Sequence, residues 1–159
     1  MRYMLQLVAG GLIALSAPSA AETVTADDTD ILLELLRAHG DAELEADDAG
    51  NPLVVATVRG TRFGIFYYGC TDGKGCTDIQ FRTGWSNVGP YTAEDMNAWN
   101  ATRRVGTALL TPEGDPAFVL SVNMAGGLPR ETLDANITWW LGGLGEFIGL
   151  LGERAGARE

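Results

Sequence analysis

Histidine is almost absent from this chain. His39 is the only one, which excludes a histidine-rich metal centre. No serine, cysteine or ligand cluster accompanies it. It falls in the last turn of the first predicted helix, where a cation favours the helix dipole. Cysteine is scarce too, with Cys70 and Cys76 and no others. No Gly-x-Ser-x-Gly elbow occurs, and no phosphate-binding glycine loop followed by Lys-Ser/Thr. Basic side chains number 11 against 21 acidic ones, for a formal net charge of −10. Such a surface repels phosphate backbones and acidic lipid headgroups, so nucleic acid is not expected as a partner.

A long apolar run is also missing. The longest, Met4 to Leu15, is interrupted by Gln6, Gly10 and Gly11 and falls short of the ~20 residues that span a bilayer. With Arg2 before it and Ser19-Ala20-Ala21 after it, the run reads as a secretory signal peptide over residues 1–21, cut before Glu22. A retained membrane anchor is the rival reading. No cysteine follows the run to take a lipid. Export predicts a periplasmic or secreted (bacterial) protein with no stable membrane insertion after cleavage. Removing 21 of 159 residues leaves 138, which suits one domain. Arg2 is the only charge in the leader, so the remainder is more acidic still. The expected organisation is a signal peptide at 1–21, a single domain at 22–152 and a polar tail at 153–159.

An even cysteine count in an exported chain predicts a disulfide. Thr71 to Gly75 lie between the pair, with two glycines to favour a reversing turn and strand-like runs on both sides. Opposed residues at a hairpin end lie within disulfide range. Closing so small a loop stabilises by about 2 kcal/mol on the chain-entropy model. A metal site, a redox pair and two free thiols are the rival readings. A metal needs more ligands, and Cys-x-x-Cys spacing is absent.

Residues 22–28 are polar and read as frayed. A helix from Asp28 or Thr29 to about His39 carries Ile31, Leu32, Leu35 and Leu36 on one face, with Gly40 expected to end it. Strands follow near 42–47, 53–58, 63–68 and 77–83, joined by glycine-containing turns as an antiparallel meander. A second helix opens at Thr92, with Glu94 and Asp95 in its first turn, Met96 and Trp99 as anchors, and Arg103-Arg104 at its end. Two strands near 105–110 and 117–124 turn at Glu113-Gly114-Asp115. Gly126-Gly127 release the chain into a last helix, with Pro129 in its first turn. Leu133, Ile137, Trp140, Leu141, Leu144, Phe147, Ile148 and Leu151 form its stripe. Trp139 and Leu150 project off that stripe. Gly142, Gly145 and Gly149 gather on the far side, where they predict close approach of another backbone or a loose helix end. The order α-β-β-β-β-α-β-β-α predicts an α+β fold, an antiparallel sheet backed by helices.

Asn97-x-Trp99-Asn100, Arg103-Arg104, Glu113-Gly114-Asp115-Pro116, Asn123-x-Ala125-Gly126-Gly127 and Trp139-Trp140 together resemble the YbjN-domain family. The family is described as a bacterial sensory transduction regulator and is similar in fold to the type III secretion chaperones. Tyr67-Tyr68-Gly69-Cys70-Thr71-Asp72 fits its exported branch. The resemblance covers about residues 27–151. It implies a compact domain with a twisted antiparallel sheet, whose fold relatives hold client segments or dimerise. It implies no catalytic residue, cofactor or metal. A leader sets this chain apart from the cytoplasmic chaperones.

The acid pairs Asp27-Asp28 and Asp47-Asp48 read as solvated turns, and Asp47, Asp48 and Asn51 lack the spacing of a calcium loop. Two glycosylation sequons, at Asn100 and Asn136, fall inside predicted helices. Asn97, Asn100 and Arg104 are expected to tie the second helix to the following strands. Trp139 and Leu150 are the candidates for an intermolecular surface, facing a protein client or a second copy in a homodimer. The functional expectation is a non-enzymatic exported protein that acts by protein–protein interaction, as a chaperone-like, adaptor or regulatory module. A small-ligand sensor with a pocket between sheet and last helix is the alternative, and a hydrolase the remote one.

Overall fold

A computed structural model describes residues 22–156, with side chains through Glu153. The expected signal peptide lies outside the described residues. In chain order the elements are β1 (Thr23–Val24), α1 (Thr29–Arg37), β2 (Asp41–Ala46), β3 (Pro52–Val58), β4 (Thr61–Tyr68), β5 (Asp78–Gly84), α2 (Ala93–Thr102), β6 (Thr107–Leu110), β7 (Pro116–Asn123), β8 (Leu128–Pro129) and α3 (Arg130–Gly156). The main sheet has the strand order β2-β3-β4-β5-β7-β6 with every neighbour antiparallel. This is the expected α+β fold, with the expected order of helices and main-sheet strands.

Turn chemistry sets the meander. Arg59 and Gly60 both take positive φ, 50° and 80°, between the paired Val58 and Thr61. Two such residues make the turn whose twist matches a hairpin. At Thr92 the hydroxyl accepts from the Asp95 N–H while the Asp95 carboxylate accepts from the Thr92 N–H, a full capping box that starts α2.

One face of the sheet holds the core. Val54, Ile65, Phe81 and Leu120 lie level across β3, β4, β5 and β7; two residues along, Ala56 is level with Phe63 and Thr83 with Phe118. Along α3, Leu133, Ile137, Trp140, Leu144, Phe147 and Leu151 recur every three or four residues and are all buried. Phe118 stacks between Trp140 and Phe147, with ring centroids 5.3 and 5.2 Å away.

Five local readings change. Residues 22–28 are not frayed: β1 pairs with β8, and Val24 and Ala26 are buried in the core. The signal was present, since Val24 and Ala26 alternate with polar neighbours at strand period. Pro129 belongs to β8, one residue before α3, and the helix runs on to Gly156 through the first part of the expected tail. Gly40 does not adopt a left-handed cap. It is glycine because a Cβ there would strike the Thr57 carbonyl of β3. Finally, nothing lies within 4 Å of a Cβ built on Gly142, Gly145 or Gly149, so no backbone of this chain approaches them among the described residues. The close approach occurs at Gly143, against the Phe118 ring and the Val105 carbonyl.

Candidate functional site

Of the paired acids, Asp27, Asp28 and Asp47 are engaged by backbone N–H groups. The Asp47 carboxylate accepts from the Ala49 and Asn51 N–H groups at 2.9 and 2.8 Å, and the Asn51 hydrogen bond leads in holding its pKa below the usual carboxylate value. Asp28 turns back to accept from the Thr25 N–H and hydroxyl, both at 2.7 Å, which lowers its pKa likewise. Asp27 accepts from the Gly75 N–H at 2.8 Å. Burial pushes the Tyr67 phenol up, keeping it neutral. Among the described residues, no group of three or more His, Cys, Asp or Glu side chains is placed to hold a metal.

The cysteines are joined. Cys70 and Cys76 form a disulfide at the β4–β5 end. Between them Thr71 and Lys74 exchange two backbone hydrogen bonds, and Asp72 and Gly73 take positive φ in the two-residue turn. Asp27 docks this loop onto the N-terminal segment.

Of the polar trio, Asn100 makes the tie. Its amide donates to the Ala108 carbonyl and accepts from the Ala108 N–H, both at 2.9 Å, which fastens α2 to β6. Asn97 and Arg104 are exposed, and neither makes such a bond among the described residues. Both Gly126 and Gly127 adopt positive φ, 78° and 81°, and a Cβ on Gly127 would strike Thr23. Both sequons lie within helices. Asn136 donates to the Thr132 carbonyl, at 2.8 Å.

Trp139 and Leu150 lie on the same side of α3, toward α2. Trp139 is 60% exposed, whereas Leu150 is half-buried and packs against the core edge. Between them the Arg103 guanidinium lies 4.8 Å from the centroid of the Trp99 ring and pairs with Glu146 at 2.6 Å. This bridge divides the α2–α3 surface into two hollows. One, about 340 Å³, is lined by Trp139, Arg104, Thr138 and Gly142; the other, about 480 Å³, is lined by Leu150, Asp95, Ala98 and Gly149. Trp99 lies beneath both. Its indole is edge-on to Phe118 and Phe147, and its buried Nε1 has no hydrogen-bond partner among the described residues. The sequence placed Arg103 at a helix end, where its partner on α3 was invisible: forty-three residues separate Arg103 from Glu146.

Among the described residues, no helix is long and apolar enough to cross a membrane. No curated protein matches the chain. A family model described as YbjN, "Putative bacterial sensory transduction regulator", matches residues 28–153. That span takes in every element of the main sheet, α2 and nearly all of α3, and the chain accordingly belongs to the YbjN family.

Proposed function

We propose that the chain is exported, loses residues 1–21, and acts without catalysis by holding another polypeptide on the α2–α3 surface. Its role is chaperone-like, adaptor or regulatory. The observation that carries this reading is Trp139, an indole 60% exposed on a long helix and sharing a hollow with Arg104, which forms no ion pair among the described residues. Exposed aromatic and arginine side chains are the usual anchors of protein interfaces. An apolar segment bearing a carboxylate complements that pair. Affinity isolation from the periplasmic fraction tests the proposal. A partner held by the wild-type chain and lost with Trp139→Ala is expected; identical retention by both chains contradicts it.

A second reading, a small-ligand sensor, is favoured by a cavity of about 160 Å³ between the β3–β4 turn and α3, lined by Val58, Leu141, Leu144 and Ile148. A ligand that binds only the folded state raises its melting temperature. A thermal-shift screen in which no compound moves the melting point counts against this reading.

A further inference from the structure

The sheet face turned away from α2 and α3 carries a pattern of its own. Level residues across it read Glu43 on β2, Val55 on β3, Gly64 on β4 and Arg82 on β5. The next level reads Glu45, Leu53, Phe66 and Gln80. At these two levels acid fills the edge column, apolar side chains and a glycine fill the middle, and Arg82 stands on the fourth strand; one level on, Arg62 of β4 shares the face and reaches Glu45 at 3.7 Å. A hollow of about 410 Å³ lies among Leu53, Val55, Gly64 and Phe66, with Glu45, Arg62 and Arg82 also in its lining. Both Glu43 and Arg82 are exposed, and neither forms an ion pair among the described residues. Three strand spacings separate them, about 14 Å.

We infer that this face pairs two copies of the chain, sheet on sheet. A two-fold axis parallel to the strands, between β3 and β4, exchanges the columns and preserves the levels. It sets β2 over β5 of the second copy and β3 over β4. Glu43 then meets Arg82 of the second copy, Val55 meets its Gly64, and Leu53 meets its Phe66. The interface is self-complementary, as a two-fold contact requires. An axis across the strands is disfavoured because it lays β2 on β2, acid against acid. The overlap, four strands by about six residues, covers about 400 Å² per copy. That is the size of a transient contact, so the dimer is concentration-dependent. Its charge pairs are screened as salt rises. This face is separate from the α2–α3 surface, and the two assignments stand or fall independently.

Sedimentation equilibrium at low salt, over a wide concentration series, tests the pairing. The wild-type chain is expected to move toward twice the monomer mass. Arg82→Glu and Glu43→Arg, both at exposed positions, each weaken association at least about tenfold through like-charge contact. Mixed in equal amounts, the two variants recover the dimer, because each restores the complement the other lost. Circular dichroism melts confirm that both variants fold. A wild-type chain monomeric throughout, single variants that associate as well as wild type, or a mixture that stays monomeric overturns the inference. So does loss of the dimer through Trp139→Ala, which assigns self-association to the α2–α3 surface instead.

Discussion

Asn100 and Ala108 exchange two hydrogen bonds, side-chain amide to backbone, both at 2.9 Å. This clasp fixes where α2 lies along β6, and therefore where the α2–α3 hollows open. Replacing Asn100 with Ala leaves the Ala108 N–H and carbonyl without those partners at a half-buried site. The expected cost is about 1–3 kcal/mol, read as a lower urea midpoint. Asn100→Asp keeps only the accepting half and is expected to lose stability too. A midpoint unchanged in both variants contradicts the clasp.

Adjacent tryptophans serve opposite purposes. Trp140 is fully buried against Phe63, Phe81 and Phe118, so Trp140→Ala should cost about 3–5 kcal/mol, a large part of a small domain's stability. Trp139→Ala removes an exposed ring and should change stability by less than about 0.5 kcal/mol. Denaturant titration of the two variants side by side decides the matter. Equal losses would mean that Trp139 belongs to the core.

Glycines divide by what surrounds them. Gly106 has φ 72°, and a Cβ there would strike the Phe118 ring, so Gly106→Ala combines left-handed strain with overpacking and should cost more than about 2 kcal/mol. Gly145 is helical with open space around it, and Gly145→Ala should stabilise the chain by up to about 1 kcal/mol. Thermal melts showing the reverse order would contradict both assignments. A more stable Gly145→Ala chain with weaker partner binding would show that a partner's backbone supplies the close approach absent within this chain.

The disulfide makes a chemical prediction. Thiol titration of denatured, unreduced protein should find neither Cys70 nor Cys76 free. The Cys70→Ser/Cys76→Ser double variant should lose about 2 kcal/mol on the chain-entropy model. Two titratable thiols in protein taken from its native compartment would remove the staple and the support it lends to export.

Much of this fold was legible because its determinants are local. The apolar stripe from Leu133 to Leu151, the capping box at Thr92 and the Asp-Gly turn between the cysteines each lie within a short window of sequence. What stayed hidden depends on residues distant along the chain. Gly40 is explained by the Thr57 carbonyl, Gly143 by Phe118, and Arg103 by Glu146. The candidate surface was half legible. Helical spacing put Trp139 and Leu150 on one side of the last helix, but only the packed structure shows the Arg103–Glu146 bridge between them. The acidic and basic columns of the open sheet face required strand register, which no single-strand pattern contains.

The most direct test of the central claim places a photoreactive aromatic residue at position 139, with position 48 in an exposed turn as the control. Irradiation in intact cells should give one discrete adduct from position 139, heavier than the chain and unequal to its dimer. That adduct should fade with Arg104→Glu and be missing from position 48. No adduct from position 139, or the same products from both positions, would contradict a client-binding role for this surface.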